Sequence, residues 1–320
     1  KIRNLYIKKD SELVSEGKNS VDDRAVYLDR KLGKKLSENI SASEDLKIVV
    51  SDAEYILVAT PSLIFEQIIA RLEPYISSSV SIISCTKGIQ ADPFRTMTEI
   101  ISHHLGHIIG SQVGVLSGPN LAKEIAEQKI AGTVIASSNS ELTTNIKKIL
   151  SSSTFKVFSS LDVQGVELAG ALKNIYAICC GIAHAKNVGE NALGFIVTRS
   201  MAEMSRFAVA KGANPITFLG LAGMGDLMAT CTSKLSRNFQ LGELIAKDMT
   251  LLQAKERVGQ VAEGARTVEV VYQEAQQMAV CMPMVESLYK ILYEGMASEQ
   301  LLIDLLDHPN EVDVEFTQQD

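Results

Sequence analysis

One lysine in a run of small and apolar residues is the feature of this sequence best suited to chemistry. Residues 168–174 read Leu-Ala-Gly-Ala-Leu-Lys-Asn. A helical side chain lies over the turn that precedes it, so Lys173 is predicted to project over Ala169 and Gly170. The low bulk of that turn would leave room for a small substrate beside a reactive amine. Close packing of two helices around an incidental lysine explains the same residues equally well.

Two further polar segments follow runs that read as buried strands. Residues 80–83 lead into Thr86-Lys87-Gly88, and residues 113–116 lead into Ser117-Gly118-Pro119-Asn120. Open parallel sheets bind ligands beyond the carboxyl ends of their strands, so Lys87 is predicted to enter such a crevice. Pro119 suits a helix start, where free backbone N–H groups can face an anion. Ordinary solvated turns explain both segments as well.

A third segment combines three glycines with an aspartate. Gly220, Gly223 and Gly225 precede Asp226, and Arg237-Asn238 follows shortly afterwards. The glycines predict close approach of the backbone, and Asp226 could pair with a lysine across a cleft. A guanidinium group and an amide suit a phosphate. The glycine spacing is not that of a dinucleotide-binding turn, because no strand precedes it.

Composition restricts the classes of function. The 320 residues are 46% hydrophobic and 22% charged, with a formal net charge of −7, which predicts a soluble globular protein of about two domains. No basic region suits nucleic acid, and no run of 18 apolar residues predicts a membrane span. Five cysteines, of which only Cys179 and Cys180 are adjacent, indicate reduced thiols and a cytoplasmic protein. No metal site is expected, because the histidines at 103, 104 and 107 read as a solvated helix face.

The order of apolar runs predicts the fold class. Short runs rich in β-branched residues alternate with helical patterns up to about Ser160, and helical patterns with more alanine and methionine follow. We therefore expect an α/β Rossmann-like domain with a mostly parallel sheet over residues 1–160 and an all-helical domain over residues 161–320. The predicted strands are 5–7, 55–59, 80–83, 113–116, 132–135 and 155–158.

Taken in order, these segments resemble the NAD(P)-dependent glycerol-3-phosphate dehydrogenases, especially the bacterial type. The resemblance covers roughly residues 46–295. It rests on Thr-Lys-Gly at 86–88, Ser-Gly-Pro-Asn-x-Ala-Lys-Glu at 117–124, Gly-Val-Glu-Leu-Ala-Gly-Ala-Leu-Lys-Asn at 165–174, Gly-Met-Gly-Asp-Leu at 223–227, Ser-Arg-Asn at 236–238 and Val-Ala-Glu-Gly at 261–264.

The resemblance implies reversible reduction of dihydroxyacetone phosphate to sn-glycerol 3-phosphate with NADPH or NADH, which supplies glycerol 3-phosphate for phospholipid synthesis. It also implies a homodimer and a phosphorylated small-molecule substrate. Lys173 would exchange the proton, Lys87 would orient the substrate, and Asp226 would hold Lys173. The expected substrate-binding residues are Lys87, Gly118, Asn120, Lys173, Asn174, Asp226, Thr230, Ser236, Arg237 and Asn238, and the expected cofactor-binding residues are Lys87, Ala122, Arg237, Val261 and Glu263.

The sequence departs from the family pattern at its beginning. Family members start with a strand and a Gly-x-Gly-x-x-Gly turn, which this sequence lacks, and residues 5–7 resemble the family's second strand. We therefore expect the sheet domain to be incomplete at its N-terminus by a unit of roughly 30 residues, most simply because the sequence is incomplete. Asn120 stands where many members have Ser or Thr. Two alternatives remain open: a related dehydrogenase with a different small substrate, and a non-catalytic relative that binds a metabolite.

Overall fold

A computed structural model describes residues 4–6, 40–259 and 261–307 of the chain. Every apolar run that predicted a strand overlaps an observed one, because these runs combine β-branched residues with flanking turn residues. Residue 7 of the first run lies outside the described residues. The strands are β1 (Asn4–Tyr6), β2 (Ser41–Ser43), β3 (Tyr55–Val58), β4 (Ser81–Ser84), β5 (Ile89–Gln90), β6 (Arg95–Thr96), β7 (Val113–Ser117), β8 (Ala131–Ala136) and β9 (Phe155–Ser160).

A five-stranded sheet of order β3-β4-β7-β8-β9 forms the centre of the first half. Its pairs are parallel except that β8 runs antiparallel to β7, with Ser117 opposite Val134. The sheet is thus parallel-dominated but mixed. The antiparallel step brings the beginning of β8 to the edge where β3, β4 and β7 end. β1 and β2 form a separate parallel pair, and β5 and β6 form an antiparallel one.

Helices surround the sheet and make up the second half of the described chain, which confirms the predicted fold class. The α-helices are α1 (Leu46–Val50), α2 (Ser62–Leu72), α3 (Met97–Ile109), α4 (Ala122–Ala126), α5 (Ser140–Leu150), α6 (Val163–Ala185), α7 (Glu190–Ala210), α8 (Asp226–Cys231), α9 (Arg237–Ile245), α10 (Leu251–Val258), α11 (Glu263–Gln277), α12 (Pro283–Tyr293) and α13 (Gln300–Asp307). Glu73–Tyr75 and Pro215–Leu219 form 3₁₀ turns, and Leu221–Gly225 forms a π turn.

Both faces of the sheet are covered by helices. Adjacent strand residues point to opposite faces, so they pack into different cores. Ile82 packs into a core with Phe65 of α2 and Leu105 of α3. Ile83 packs into a second core with Leu142 and others from α5 and β9. This layering leaves the carboxyl ends of β3, β4 and β7 as the edge that faces the helical half.

The helix α6 is the centre of the helical half. Its residues from 165 to 183 are all buried, which explains why its pattern is apolar on every face. By length and composition it could cross a membrane, but its apolar window lies wholly inside the protein. Two glycines let α6 and α9 touch: a Cβ on Gly181 would lie 2.1 Å from Phe239 O, and one on Gly242 would lie 2.1 Å from Ile178 O. α9 therefore packs on α6 at backbone contact distance.

Candidate active site

Lys87 lies in the turn after the carboxyl end of β4. The turn that carries it is held by Thr86, whose Oγ1 donates a hydrogen bond of 2.7 Å to Thr60 O after β3. Lys87 Nζ donates to Gly118 O at 2.8 Å and to Asp226 Oδ2 at 2.5 Å. The ammonium group thus joins the ends of two strands to the helical half.

Lys173 reaches the same place from α6, and 7% of the residue is exposed. Its Nζ donates to Asp226 Oδ1 and, at 2.7 Å, to Thr230 Oγ1. The Thr230 hydroxyl donates its own hydrogen to Asp226 O one turn earlier in α8, at 2.6 Å, so it is able to accept from the lysine. The structure therefore brings together Lys173, Asp226 and Thr230.

Asp226 is positioned by the glycine-rich segment that precedes it. The π turn Leu221–Gly225 ends where α8 begins, and a Cβ on Gly223 would lie 2.2 Å from Phe218 O. This close approach is what the glycines predict. Asp226 is 1% exposed and makes ion pairs with both Lys87 and Lys173. Two ammonium groups around one carboxylate leave an excess positive charge, which favours an anionic ligand or a developing negative charge.

The environment of Lys173 changes its acidity. Burial, followed by the positive charge of Lys87, lowers the pKa of Lys173 from 10.5 to about 8, while Asp226 opposes that decrease. A buried ammonium group loses hydration that favours its charged form. An amine with a pKa of about 8 can both donate and accept a proton near neutral pH.

The space over Gly170 is not open to a ligand, which corrects one expectation. A Cβ on Gly170 would lie 2.4 Å from Ser117 Oγ and 3.7 Å from Lys87 Cγ. The glycine therefore lets the end of β7 pack against α6, as the close-packing alternative proposed. The ammonium group of Lys173 nonetheless meets Asp226 beyond this contact.

The residues expected to bind the phosphate already make hydrogen bonds within the protein, although Arg237 remains exposed. Asn238 is buried and uses its amide inside the protein: Nδ2 donates to Asn174 Oδ1 and Oδ1 accepts from Gly264 N, both at 3.0 Å. This corrects the prediction that the Asn238 amide faces a phosphate. Ser236 accepts from Phe239 N at 3.3 Å and caps α9. Arg237 is exposed, with Nη1 donating to Val261 O at 3.1 Å, so the structure places Arg237 beside Val261.

Glu263 lies at a boundary between the two halves of the chain. Its Oε1 accepts from Ser62 N at 3.0 Å and its Oε2 accepts from Ser62 Oγ at 2.6 Å. Glu263 thus satisfies N–H and O–H groups at the start of α2, a site where a negative charge is favourable. Both carboxylate oxygens face Ser62, which the prediction of a cofactor-facing Glu263 did not anticipate.

The segment after β7 carries Gly118, Asn120 and Ala122. Asn120 Nδ2 donates to Thr133 Oγ1 at 2.9 Å, and Thr133 Oγ1 donates to Ser117 O at 3.0 Å. Ala122 is exposed at the first position of α4. The predicted residues Gly118 and Asn120 therefore lie near Lys87, whereas Thr133 was missed because a parallel β8 would have placed it at the opposite edge.

A second residue missed in the sequence is Glu167 on α6. It is 3% exposed and accepts from Thr98 N at 2.9 Å and from Thr98 Oγ1 at 2.5 Å, in the first turn of α3. Burial raises the pKa of Glu167 to about 7. Together with the Glu263 contact, this interaction sets carboxylates of the helical half against the starts of two helices of the sheet half. The sequence signal for Glu167 is a charged residue between two apolar ones, Val166 and Leu168, in a helix that is otherwise mostly apolar.

The edge formed by the carboxyl ends of β3 and β7 carries polar groups that suit a dinucleotide. Thr60 Oγ1, just beyond β3, and Ser117 Oγ, at the end of β7, are buried and have no hydrogen-bond partner in the described part of the chain. Buried hydroxyl groups are normally paired, so a polar ligand at this edge would satisfy them. The carboxyl ends of strands in an open sheet are also where Rossmann folds hold their dinucleotides. The residues present therefore fit a nicotinamide cofactor.

Comparisons with known families match both halves of the chain. A family model described as the N-terminus of NAD-dependent glycerol-3-phosphate dehydrogenase matches residues 20–143, and one described as the C-terminus of the same enzyme matches residues 162–303. The gap between the matches, residues 144–161, contains most of α5 and all of β9.

Individual relatives belong to the same enzyme family as the two matching models. A glycerol-3-phosphate dehydrogenase [NAD(P)+] of Alcanivorax borkumensis is 46% identical over 284 residues, which are 89% of this chain and 82% of the relative. One of Acinetobacter baylyi is 47% identical over 281 residues, or 88% of this chain and 78% of the relative. The crystal structure of the glycerol-3-phosphate dehydrogenase from Coxiella burnetii is 30% identical with a TM-score of 0.83, and the match covers 96% of this chain and 99% of that one.

Proposed function

Because this chain belongs to the NAD-dependent glycerol-3-phosphate dehydrogenase family, we propose that Lys173, Lys87 and Asp226 form its reaction centre. The chain is an NAD(P)-dependent oxidoreductase that interconverts dihydroxyacetone phosphate and sn-glycerol 3-phosphate. The observation that carries the proposed roles is the buried Asp226 carboxylate shared by two lysines at the edge of the sheet.

The reaction needs a proton as well as a hydride. A nicotinamide cofactor, when bound, would supply the hydride chemistry at C2 of the substrate in both directions. Lys173 gives a proton to the oxygen on C2 during reduction and takes it back during oxidation. Its pKa of about 8 allows both directions near neutral pH. Lys87 adds positive charge beside the developing alkoxide, and Asp226 holds both ammonium groups in place.

The substrate lies between the two halves of the chain in this proposal. Gly118, Asn120 and Lys87 contact it from the sheet edge, and Thr230 contacts it from α8. Arg237 and the first N–H groups of α9 bind its phosphate, since a helix start and a guanidinium group both favour an anion. Asn238 acts indirectly, because its amide fixes Asn174 and the start of α11.

Residues along the same edge would hold the cofactor, NADP or NAD. We assign Lys87, Ala122, Arg237, Val261 and Glu263 to its borders. Glu263 reaches the start of α2 through its hydrogen bond with Ser62. Arg237 lies close by, because it donates to the carbonyl oxygen of Val261, two residues before Glu263. Residues 1–160 would form the cofactor-binding domain and residues 161–320 the substrate-binding domain.

We also propose that the protein is a cytoplasmic homodimer. All five cysteines are free, as in reducing compartments. Leu161, Ile216 and Leu219 are 73%, 68% and 70% exposed, and Asp162 ties their segments together by accepting from Asn214 N and Thr217 Oγ1. Such neighbouring apolar side chains are typical of a covered surface. Sedimentation equilibrium should give twice the chain mass, and Leu219→Glu should weaken association.

The activity is tested by following NADPH, then NADH, absorbance after dihydroxyacetone phosphate is added to the protein. We expect oxidation of the cofactor with the wild type and its loss with Lys173→Ala. Lys255→Ala is a matched control, because Lys255 is exposed on α10. Turnover in Lys173→Ala equal to that of the control would contradict the role of Lys173. No turnover by the wild type would favour a non-catalytic relative.

A further inference from the structure

Thr133 makes two hydrogen bonds to the end of β7 and the segment that follows it. It is fully buried at the start of β8, and its Oγ1 lies 3.0 Å from Ser117 O. A carbonyl oxygen only accepts hydrogen bonds, so the threonine hydroxyl must donate its single hydrogen there. What remains on Thr133 Oγ1 is acceptor capacity, which the Nδ2 group of Asn120 uses at 2.9 Å.

This chain of donors fixes which way the Asn120 amide is turned. If the amide were reversed, its Oδ1 would face a hydroxyl oxygen whose only hydrogen is already used. Amide orientations are assigned from such networks, and here only one orientation is compatible. Oδ1 consequently faces away from Thr133. It is buried and has no hydrogen-bond partner within the described residues.

Buried acceptors are normally paired, so we expect a ligand to donate a hydrogen bond to Asn120 Oδ1. Asn120 is two residues from Gly118, whose carbonyl oxygen holds Lys87 Nζ at 2.8 Å, so the two Cα atoms are at most about 7 Å apart. The acceptor therefore belongs to the same edge as the reaction centre. Dihydroxyacetone phosphate has one free hydroxyl group, at the end opposite its phosphate, which is able to donate.

We propose that Thr133 is a positioning residue for substrate selection, because it turns Asn120 so that Oδ1 accepts a hydrogen bond from the free hydroxyl group of the substrate. The inference rests on the proposed function and names the part of the substrate that is read. A site with a fixed acceptor favours a hydroxymethyl group over a methyl group, which cannot donate, and over a carboxylate, which only accepts.

The test compares kcat/KM for dihydroxyacetone phosphate with kcat/KM for acetol phosphate, in which a methyl group replaces the hydroxymethyl group. We expect the wild type to prefer dihydroxyacetone phosphate. Thr133→Val should reduce that preference about tenfold, the effect of one hydrogen bond, by raising KM for dihydroxyacetone phosphate more than it lowers kcat. Thr133→Ser retains the hydroxyl group and should retain the preference.

Asn120→Ala tests the other end of the interaction. It should reduce the preference as much as Thr133→Val, and the double variant Thr133→Val with Asn120→Ala should show no further reduction, since both changes remove one interaction. Should Thr133→Val fail to fold, Thr133→Ala takes its place in the same comparison.

The outcomes separate the inference from the function. If the wild type turns over dihydroxyacetone phosphate but Thr133→Val slows both substrates equally, Thr133 has a structural role and the inference is wrong. Additive effects of the two substitutions on the preference would overturn it as well. If the wild type turns over neither substrate, the proposed function fails, and the substrate assignment fails with it.

Discussion

The carboxylate of Asp226 joins two lysines that come from different halves of the chain. Oδ2 accepts from Lys87 Nζ at 2.5 Å, and Oδ1 accepts from Lys173 Nζ. Lys87 follows a strand of the sheet, whereas Lys173 lies in the central helix of the other half. Because the carboxylate is 1% exposed, water does little to weaken these interactions. The acidity of Lys173 is thus set by its burial and by two neighbours with opposite effects on its pKa.

The first prediction concerns the pH dependence of the two reaction directions. In the proposed mechanism, oxidation of glycerol 3-phosphate uses the neutral amine of Lys173, so its kcat/KM should rise as pH increases through about 8. Reduction of dihydroxyacetone phosphate needs the ammonium form, so its kcat/KM should fall over the same range. Initial rates from pH 6 to 10 in both directions check this. Profiles that rise together would show that Lys173 is not the proton-exchanging group.

The second prediction uses the neighbours of Lys173. Asp226 raises the pKa of Lys173 and Lys87 lowers it. Asp226→Asn should therefore move the midpoint of the oxidation profile to lower pH, and Lys87→Met should move it to higher pH, while both reduce kcat/KM by about tenfold or more. The free-enzyme profile, kcat/KM against pH, is the measurement. Shifts of both variants in the same direction would contradict this arrangement of charges.

The third prediction concerns the contact between Gly170 and Ser117. Gly170→Ala should destabilise the protein by about 1–3 kcal/mol, because its Cβ would lie 2.4 Å from Ser117 Oγ. In a Ser117→Ala background the nearest contact becomes Ser117 Cβ at 3.4 Å, so most of that cost should disappear. Urea unfolding of both single variants and the double variant measures the coupling. The same cost in both backgrounds would mean that another contact opposes the methyl group.

Much of the proposed reaction centre could be predicted, because local sequence determines where its residues lie. Lys87 follows a recognisable strand, and strands of one sheet end at a shared edge, so its position in a crevice follows from the order of elements. Lys173 and Asp226 stand in short segments whose small residues and glycines indicate close approach. The sequence therefore predicts which functional groups are present and roughly where they meet.

The remaining contacts depend on information that is not local. An apolar run predicts a strand but not its direction, and the antiparallel direction of β8 is what brings Thr133 to Asn120. Likewise, the low bulk around Gly170 does not reveal that Ser117 fills the space. Glu167 and Glu263 bind partners 69 and 201 residues away in the sequence, so nothing near them indicates their role.

The last prediction concerns stability and a buried carboxyl group in the helical half. Glu203 is 2% exposed, accepts from Met284 N at 2.7 Å and from Tyr176 Oη at 3.1 Å, and has its pKa raised from 4.5 to about 7, mainly by burial. The folded state therefore holds a proton that the unfolded state has lost between these pH values. This contribution to stability is complete below pH 4.5 and is lost as pH rises through about 7.

Glu203→Gln keeps an oxygen for Met284 N and an N–H for the Tyr176 hydroxyl oxygen but cannot ionise. We expect the free energy of unfolding of the wild type, relative to this variant, to decrease between pH 5 and pH 8. Denaturant unfolding at several pH values measures the difference, and Glu256→Gln, at an exposed position on α10, is the matched control. A difference between wild type and Glu203→Gln that stays constant with pH would show that Glu203 is already charged throughout this range, with its burial compensated by the hydrogen bonds it accepts.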